Sequence, residues 1–83
     1  MALWKVNRLM DERAQSRSGV YAAAKDGLLT KPIKIGPRAS AWPSEEVQTI
    51  ARAQVAGWSD DQIRALVRQL EAARLADAPA LAS

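Results

Sequence analysis

Apolar positions along the chain follow a helical period in four stretches, and capping or turn residues separate them. Residues 3–6, LWKV, alternate and read as a short strand or an extended lead-in. Asn7 has the side chain to cap a short helix through RLMDER, with Leu9 and Met10 inward. Ala14 and Gln15 form a tight break, because Ser16 is itself a good cap and opens a second helix. That helix ends near Asp26-Gly27, where Gly27 suits the left-handed residue past a helix end. Two short helices joined so closely are a helix-turn-helix candidate, although spacing alone equally fits a helix pair that binds nothing.

Residues 28–42, LLTKPIKIGPRASAW, change period. KPIKI and ASAW are β-favouring and flank GPR, a turn signal. The expectation is a hairpin with Ile33 and Ile35 inward, Lys31, Lys34 and Arg38 exposed, and Pro32 confining the first strand to an edge. Trp42 is expected to close the core beneath it. A third helix follows, capped by Ser44, with Glu45 and Glu46 in its first turn, Val47, Ile50 and Ala51 inward, and Gly57 at its end. The fourth has explicit start signals: Ser59 and Gln62 form a capping box, and Trp58 is placed to staple to Ile63. Ile63, Leu66, Val67, Leu70 and Ala73 then make an apolar stripe, with Arg64, Arg68, Glu71 and Arg74 outside.

The second helix carries the most distinctive surface. At ~100° per residue, Arg17, Ser18, Tyr21, Ala22 and Lys25 share one side, and Val20, Ala23, Ala24 and Gly27 share the other. The small apolar side can seat tightly on a neighbour. The other offers a guanidinium, a hydroxyl, a phenol and an ammonium, groups suited to phosphate oxygens and base edges. Gly19 costs about 1 kcal/mol inside a helix relative to Ala, which suggests a backbone passing close by. A basic hairpin directly after such a helix is placed as a wing, whose Arg and Lys reach along the phosphate backbone or into the minor groove. Taken alone, the hairpin is equally a lysine-protected edge strand that needs no ligand.

Composition narrows the chemistry. With no cysteine and no histidine, zinc would have only carboxylates, and no nucleophile–base pair can be assembled, so neither a metal or other cofactor nor an enzymatic role is expected. The start MALWKVNRLMDER soon turns charged and does not read as a signal peptide, and no run approaches the roughly 20 apolar residues of a membrane span. The expectation is a cytoplasmic, nucleoid-associated protein without a membrane partner. Residues 1–43 hold eight Lys/Arg against three Asp/Glu, a balance of +5, and residues 44–83 hold four against six, a balance of −2. That asymmetry suggests a polyanion for the first half and a different task for the second.

The stretch SRSGVYAAAKDGLLTKPIKIGPRASAWPSEEV resembles the AlpA family of small phage and mobile-element regulators, relatives of the excisionases with a MerR-like winged-helix fold. Ser16, Arg17, Ser18, Val20, Tyr21, Lys25, Gly27, Pro32, Ile35, Gly36, Arg38, Trp42 and Glu46 match the family pattern without a gap. The resemblance covers residues 3 to about 55. Arg13, Ala14 and Gln15 depart from it, standing where the family usually has Thr-Gly-Leu, so its leucine plug is missing. Ala22, Ala23 and Ala24 replace larger residues, which implies closer seating and fewer base contacts. The fourth helix is an addition to the family core.

The resemblance implies a mainly α fold with a small β-hairpin, a winged helix-turn-helix plus an extra C-terminal helix. The chain is expected to divide into 1–57 for DNA binding, 58–76 for the amphipathic helix read from its own caps and stripe, and 77–83 for a flexible tail. The resemblance implies binding of double-stranded DNA, as a recombination directionality factor (excisionase) or a transcriptional regulator, with a possible integrase partner. Arg17 would take a guanine edge, Ser18 and Tyr21 phosphates, and Lys25 would join them in the major groove. The wing would set Lys31, Lys34 and Arg38 on the backbone or minor groove, and Arg8 could add a phosphate. One module with roughly six phosphate contacts binds weakly at physiological salt, so cooperative binding to repeats is expected. Ile63, Leu66, Val67 and Leu70 are expected to complete the core, to mediate self-association, or both. The alternative is a protein-interaction module, an antitoxin or adaptor, using that same helix. A membrane-surface helix fits its narrow stripe and acidic start poorly, and that start also disfavours residues 44–74 as a second helix-turn-helix.

Overall fold

Three helices of this chain end in the same hydrogen-bonded reversal, and those reversals set its path. The computed structural model describes residues 2–80. In chain order these form β1 (Leu3–Trp4), α1 (Val6–Arg13), α2 (Arg17–Lys25), β2 (Ile33–Gly36), β3 (Ala39–Pro43), α3 (Ser44–Val55) and α4 (Asp60–Ala76). After α1, Gln15 N–H bonds the Met10 carbonyl and Ala14 N–H that of Asp11; after α2, Leu28 and Gly27 bond those of Ala23 and Ala24; after α3, Trp58 and Gly57 bond those of Ala53 and Gln54. This is the Schellman pattern, in which the residue past the cap is left-handed. Gly27 (φ 79°) and Gly57 (φ 83°) occupy that position at two corners, and Ala14 (φ 51°) occupies it at the first. Ala14 also stands where the resembling family usually has glycine.

The sheet is three-stranded and antiparallel, in the order β1-β3-β2. The lead-in at residues 3–4 is therefore a strand, and the expected two-stranded hairpin has a third member. In β2, Lys34 pairs with Ser40 and Gly36 with Ala39, so Ile35 is the extra residue of a bulge. Pro37 locks φ negative and forbids the primed turns that fit a two-residue hairpin loop, so the mismatch is absorbed in the strand. As a consequence Ile35 is 45% exposed, not inward as alternation predicted, and the strand starts at Ile33, so Lys31 lies ahead of it.

Leu9, Val20, Leu29, Trp42, Val47, Ile50, Ile63 and Val67 form one buried cluster drawn from all four helices, β3 and the α2–β2 connection. Trp42 is its hub, fully buried as expected, with Nε1–H donating to the Thr30 carbonyl at 2.7 Å. The stripe of α4 thus packs within its own chain: Ile63 and Val67 are core residues and Leu66 and Leu70 lie against them. That corrects the placing of Ile63 and Val67 on a self-association face. Ala73, read as part of the stripe, is exposed, and Trp58 is 46% exposed.

Two of the four helix-start expectations fail and two hold. Lys5, not Asn7, is the residue before α1, because the helix already begins at Val6. Pro43 precedes α3, and Ser44 instead stitches the N-terminal segment down: its N–H donates to the Ala2 carbonyl at 2.8 Å and its Oγ accepts from Ala2 N–H at 3.3 Å. Ser59 and Gln62 do form the reciprocal capping box. On α3 the inward set is Glu46, Val47, Ile50 and Ala53, with Ala51 only half-buried.

Three polar residues of α4 expected outside are instead its fastenings. Arg64 Nε donates to the Asp26 carbonyl at 3.0 Å, Glu71 accepts the Lys31 N–H at 2.9 Å, and Arg74 binds both Glu46 and the Lys31 carbonyl. The hydrogen bonds to Glu46 hold the Arg74 guanidinium above its ordinary pKa, outweighing the opposing effect of burial. Arg68 is exposed, as expected. Among the described residues no helix is long and apolar enough to cross a membrane. Of the expected tail, residues 81–83 lie outside the described residues.

Candidate nucleic-acid interface

The turn between α1 and α2 is held by polar contacts in place of a leucine plug. Arg13 Nε donates to Gln15 Oε1 at 2.8 Å, and Gln15 is half-buried. Burial lowers the pKa of Arg13. Ser16 then caps α2 as predicted, its Oγ accepting from Gly19 N–H at 3.1 Å. Within the chain the glycine at 19 makes room for that cap, and no protein backbone passes close by: a Cβ there would lie 3.3 Å from Ser16 Oγ and 3.6 Å from Gln15 Cβ. Ser18 Oγ lies 3.2 Å from the same Ser16 hydroxyl, which ties it to the helix start.

The two faces of α2 sort as their residues dictate. Val20 and Ala23 are buried and Ala24 half-buried, while Arg17, Ser18, Tyr21, Ala22 and Lys25 are exposed along one side. The Tyr21 ring lies 5.7 Å from that of Trp42, tilted by 55°, so the core supports the ring from below. Arg17 is oriented by Asn7 of α1, whose Oδ1 accepts from Arg17 Nη2 at 3.0 Å. That partner is neutral, so the guanidinium is positioned without losing its charge. Sequence reasoning missed this role of Asn7, since ten residues separate the pair and only the turn brings them together.

Arg8 is engaged differently. Its Nε bonds Glu12 at 2.8 Å, and its guanidinium carbon lies 4.6 Å above the Trp4 ring. Arg8 is thus stacked and paired, whereas Arg17 has no carboxylate partner among the described residues.

The wing is β2, the Pro37-Arg38 turn and β3. Arg38 stands at its tip and Lys34 on its exposed side, while Lys31 lies ahead of the wing with its backbone pinned to α4. Arg17, Lys25, Lys31, Lys34 and Arg38 are all exposed, and none is in an ion pair among the described residues. The helix face and the wing therefore present positive charge with no carboxylate partner among the described residues, an arrangement suited to a polyanion.

The model of the family described as prophage CP4-57 regulatory protein (AlpA) matches residues 4–61. No curated protein and no solved structure matches the chain. The matched span runs from β1 through the helix-turn-helix and the wing to the start of α4, and includes Asn7, Arg17 and Arg38. By that match the chain belongs to the AlpA family of prophage regulatory proteins, carrying a winged helix-turn-helix followed by a fourth helix.

Proposed function

We propose that this protein is a sequence-specific double-stranded DNA-binding regulator of a mobile genetic element. It acts by binding, without catalysis, as a recombination directionality factor, a transcriptional regulator or both. The observation that carries this reading is Arg17, exposed on α2, fixed by the neutral Asn7 amide and free of any carboxylate among the described residues. With α2 in the major groove, a fixed guanidinium suits the two acceptors of a guanine edge. Ser18 and Tyr21 take phosphates, Lys25 follows along the same side, and the wing lays Lys34 and Arg38 on the neighbouring backbone or minor groove. Cooperative occupation of repeated sites offsets the small footprint of one copy, and an integrase bound nearby is a natural further partner.

A second reading, contact with protein, rests on a different surface. A groove of about 380 Å³ opens between the sheet, α3 and α4, lined by Leu3, Ile33 and Leu70 with Glu45 and Asp77 among its polar residues. Apolar walls with acidic groups suit a protein surface rather than DNA.

A salt-titrated anisotropy assay separates the two. Wild type and Arg17→Ala are titrated onto the duplex around the protein's own gene, onto the nearest attachment site and onto a shuffled fragment. Preference for a native fragment that falls with salt and is lost in Arg17→Ala supports the DNA reading. Binding indifferent to salt, sequence and Arg17 overturns it in favour of a protein partner.

A further inference from the structure

Four cations from separate parts of the chain converge where α4 meets the end of α2. Lys25, Lys31, Arg64 and Arg68 border a cleft of about 160 Å³, floored in part by Gly27 and Leu29, with Glu71 as the one carboxylate in its lining. Glu71 is already occupied, accepting the Lys31 N–H at 2.9 Å. Arg64 is anchored: its Nε holds the Asp26 carbonyl at 3.0 Å, and its Cγ lies 3.5 Å from where a Gly27 side chain would begin. Its ion pair with Asp61 involves a side chain that is 95% exposed and so neutralises little of its charge. Arg68, one turn along, is exposed and has no ion pair among the described residues. Arginines four apart on one helix repel each other, and with Glu71 offsetting one of the four cations the lining keeps a net positive charge that favours an anion.

The position of the cleft identifies that anion. Lys25 is the last residue of α2 and Lys31 lies two residues before β2, so the cleft follows the segment joining helix to wing. A duplex with α2 in its major groove and the wing over its backbone or adjacent minor groove carries a strand of phosphates across that segment. Of the acidic residues of the second half, Glu71 lines the cleft and Asp61 pairs with Arg64, while Glu45, Glu46 and Asp77 lie on the groove beyond α4.

We propose that α4, nearly all of which lies beyond the matched family span, is part of the DNA interface: Arg64 and Arg68 join Lys25 and Lys31 in binding the phosphate backbone of the same duplex. This rests on the DNA-binding reading above. It gives the added helix a second role besides completing the core, and it makes the footprint wider than that of helix and wing alone.

The test uses the full chain and the same native and shuffled duplexes, with wild type, Arg68→Gln, Arg68→Lys and Arg17→Ala. Arg68 is exposed, so its variants are expected to melt like wild type. Losing one phosphate contact lowers the slope of log affinity against log salt by about 0.9. Arg68→Gln is expected to show that drop and to bind both duplexes roughly fivefold more weakly at physiological salt, leaving discrimination intact, while Arg68→Lys keeps the wild-type slope. An unchanged slope and affinity in Arg68→Gln, while Arg17→Ala still loses discrimination, overturns the cleft and leaves the DNA reading standing. A loss in Arg68→Lys equal to that in Arg68→Gln also overturns it. Wild-type binding that is insensitive to salt and sequence removes the DNA reading, and the cleft with it.

Discussion

Arg74 holds Glu46 with two hydrogen bonds from one guanidinium, Nε to Oε2 at 2.8 Å and Nη2 to Oε1 at 2.6 Å, and the same Nη2 reaches the Lys31 carbonyl at 2.8 Å. One side chain near the end of α4 thus fastens the first turn of α3 and the approach to the wing. The Glu46 side chain is only 9% exposed, so its charge depends on this partner. Arg74→Ala is expected to cost about 3 kcal/mol, the usual effect of leaving a buried carboxylate unpaired, and to lower the melting temperature by roughly 10 °C or more. Thermal and urea denaturation check this. The double variant Glu46→Met/Arg74→Met is expected to regain most of the loss, since no buried charge remains.

Ala14 occupies the left-handed corner that Gly27 and Gly57 occupy after the other two helices. A Cβ in that conformation costs about 1 kcal/mol, offset in part by the greater freedom glycine has when unfolded. Ala14→Gly is expected to raise stability by about 0.5 kcal/mol without moving the turn. A urea midpoint that rises with an unchanged slope is the sign of it.

Thr30 is fully buried, and its Oγ1 has no hydrogen-bond partner among the described residues, while its carbonyl serves Trp42. Thr30→Val keeps the shape and the carbonyl and removes the stranded hydroxyl. It is expected to stabilise the fold by about 1 kcal/mol, read as a higher melting temperature. Thr30→Gly would lose packing and go the other way.

Asn7 touches Arg17 from a neighbouring helix, and both residues are exposed. Asn7→Ala removes the acceptor that fixes the guanidinium, and alanine is well tolerated at the second position of α1. The expected result is unchanged or slightly higher stability together with weaker preference for the native duplex, smaller in effect than Arg17→Ala. Melting curves beside competition anisotropy with native and shuffled fragments measure both.

What could be read from the sequence was whatever local chemistry decides. Ser16, Gly27, Gly57, Ser59 and Gln62 each mark a helix end through bonds within a few residues, and each sits where it was expected. The buried and exposed faces of α2 follow from period alone. Most of what could not be read depends on partners distant in sequence. Ser44 has the residue type of a cap, yet its bonds go to Ala2, across the pairing of β1 with β3. Arg64, Glu71 and Arg74 look like a solvated helix face until α4 folds back onto Asp26, Lys31 and Glu46. Ile35 obeys alternation on paper, but the rigidity of Pro37 displaces the mismatch onto it.

The bulge at Ile35 also bears on how copies of this protein can meet. A sheet grows by adding strands to open edges, and here β2 forms one edge, opened by Pro32 and broken at Ile35, while the other is the two-residue β1. Neither offers a run of free backbone groups long enough to template a neighbour. Copies of this chain brought side by side are thereby protected from fusing into a continuous β-ribbon.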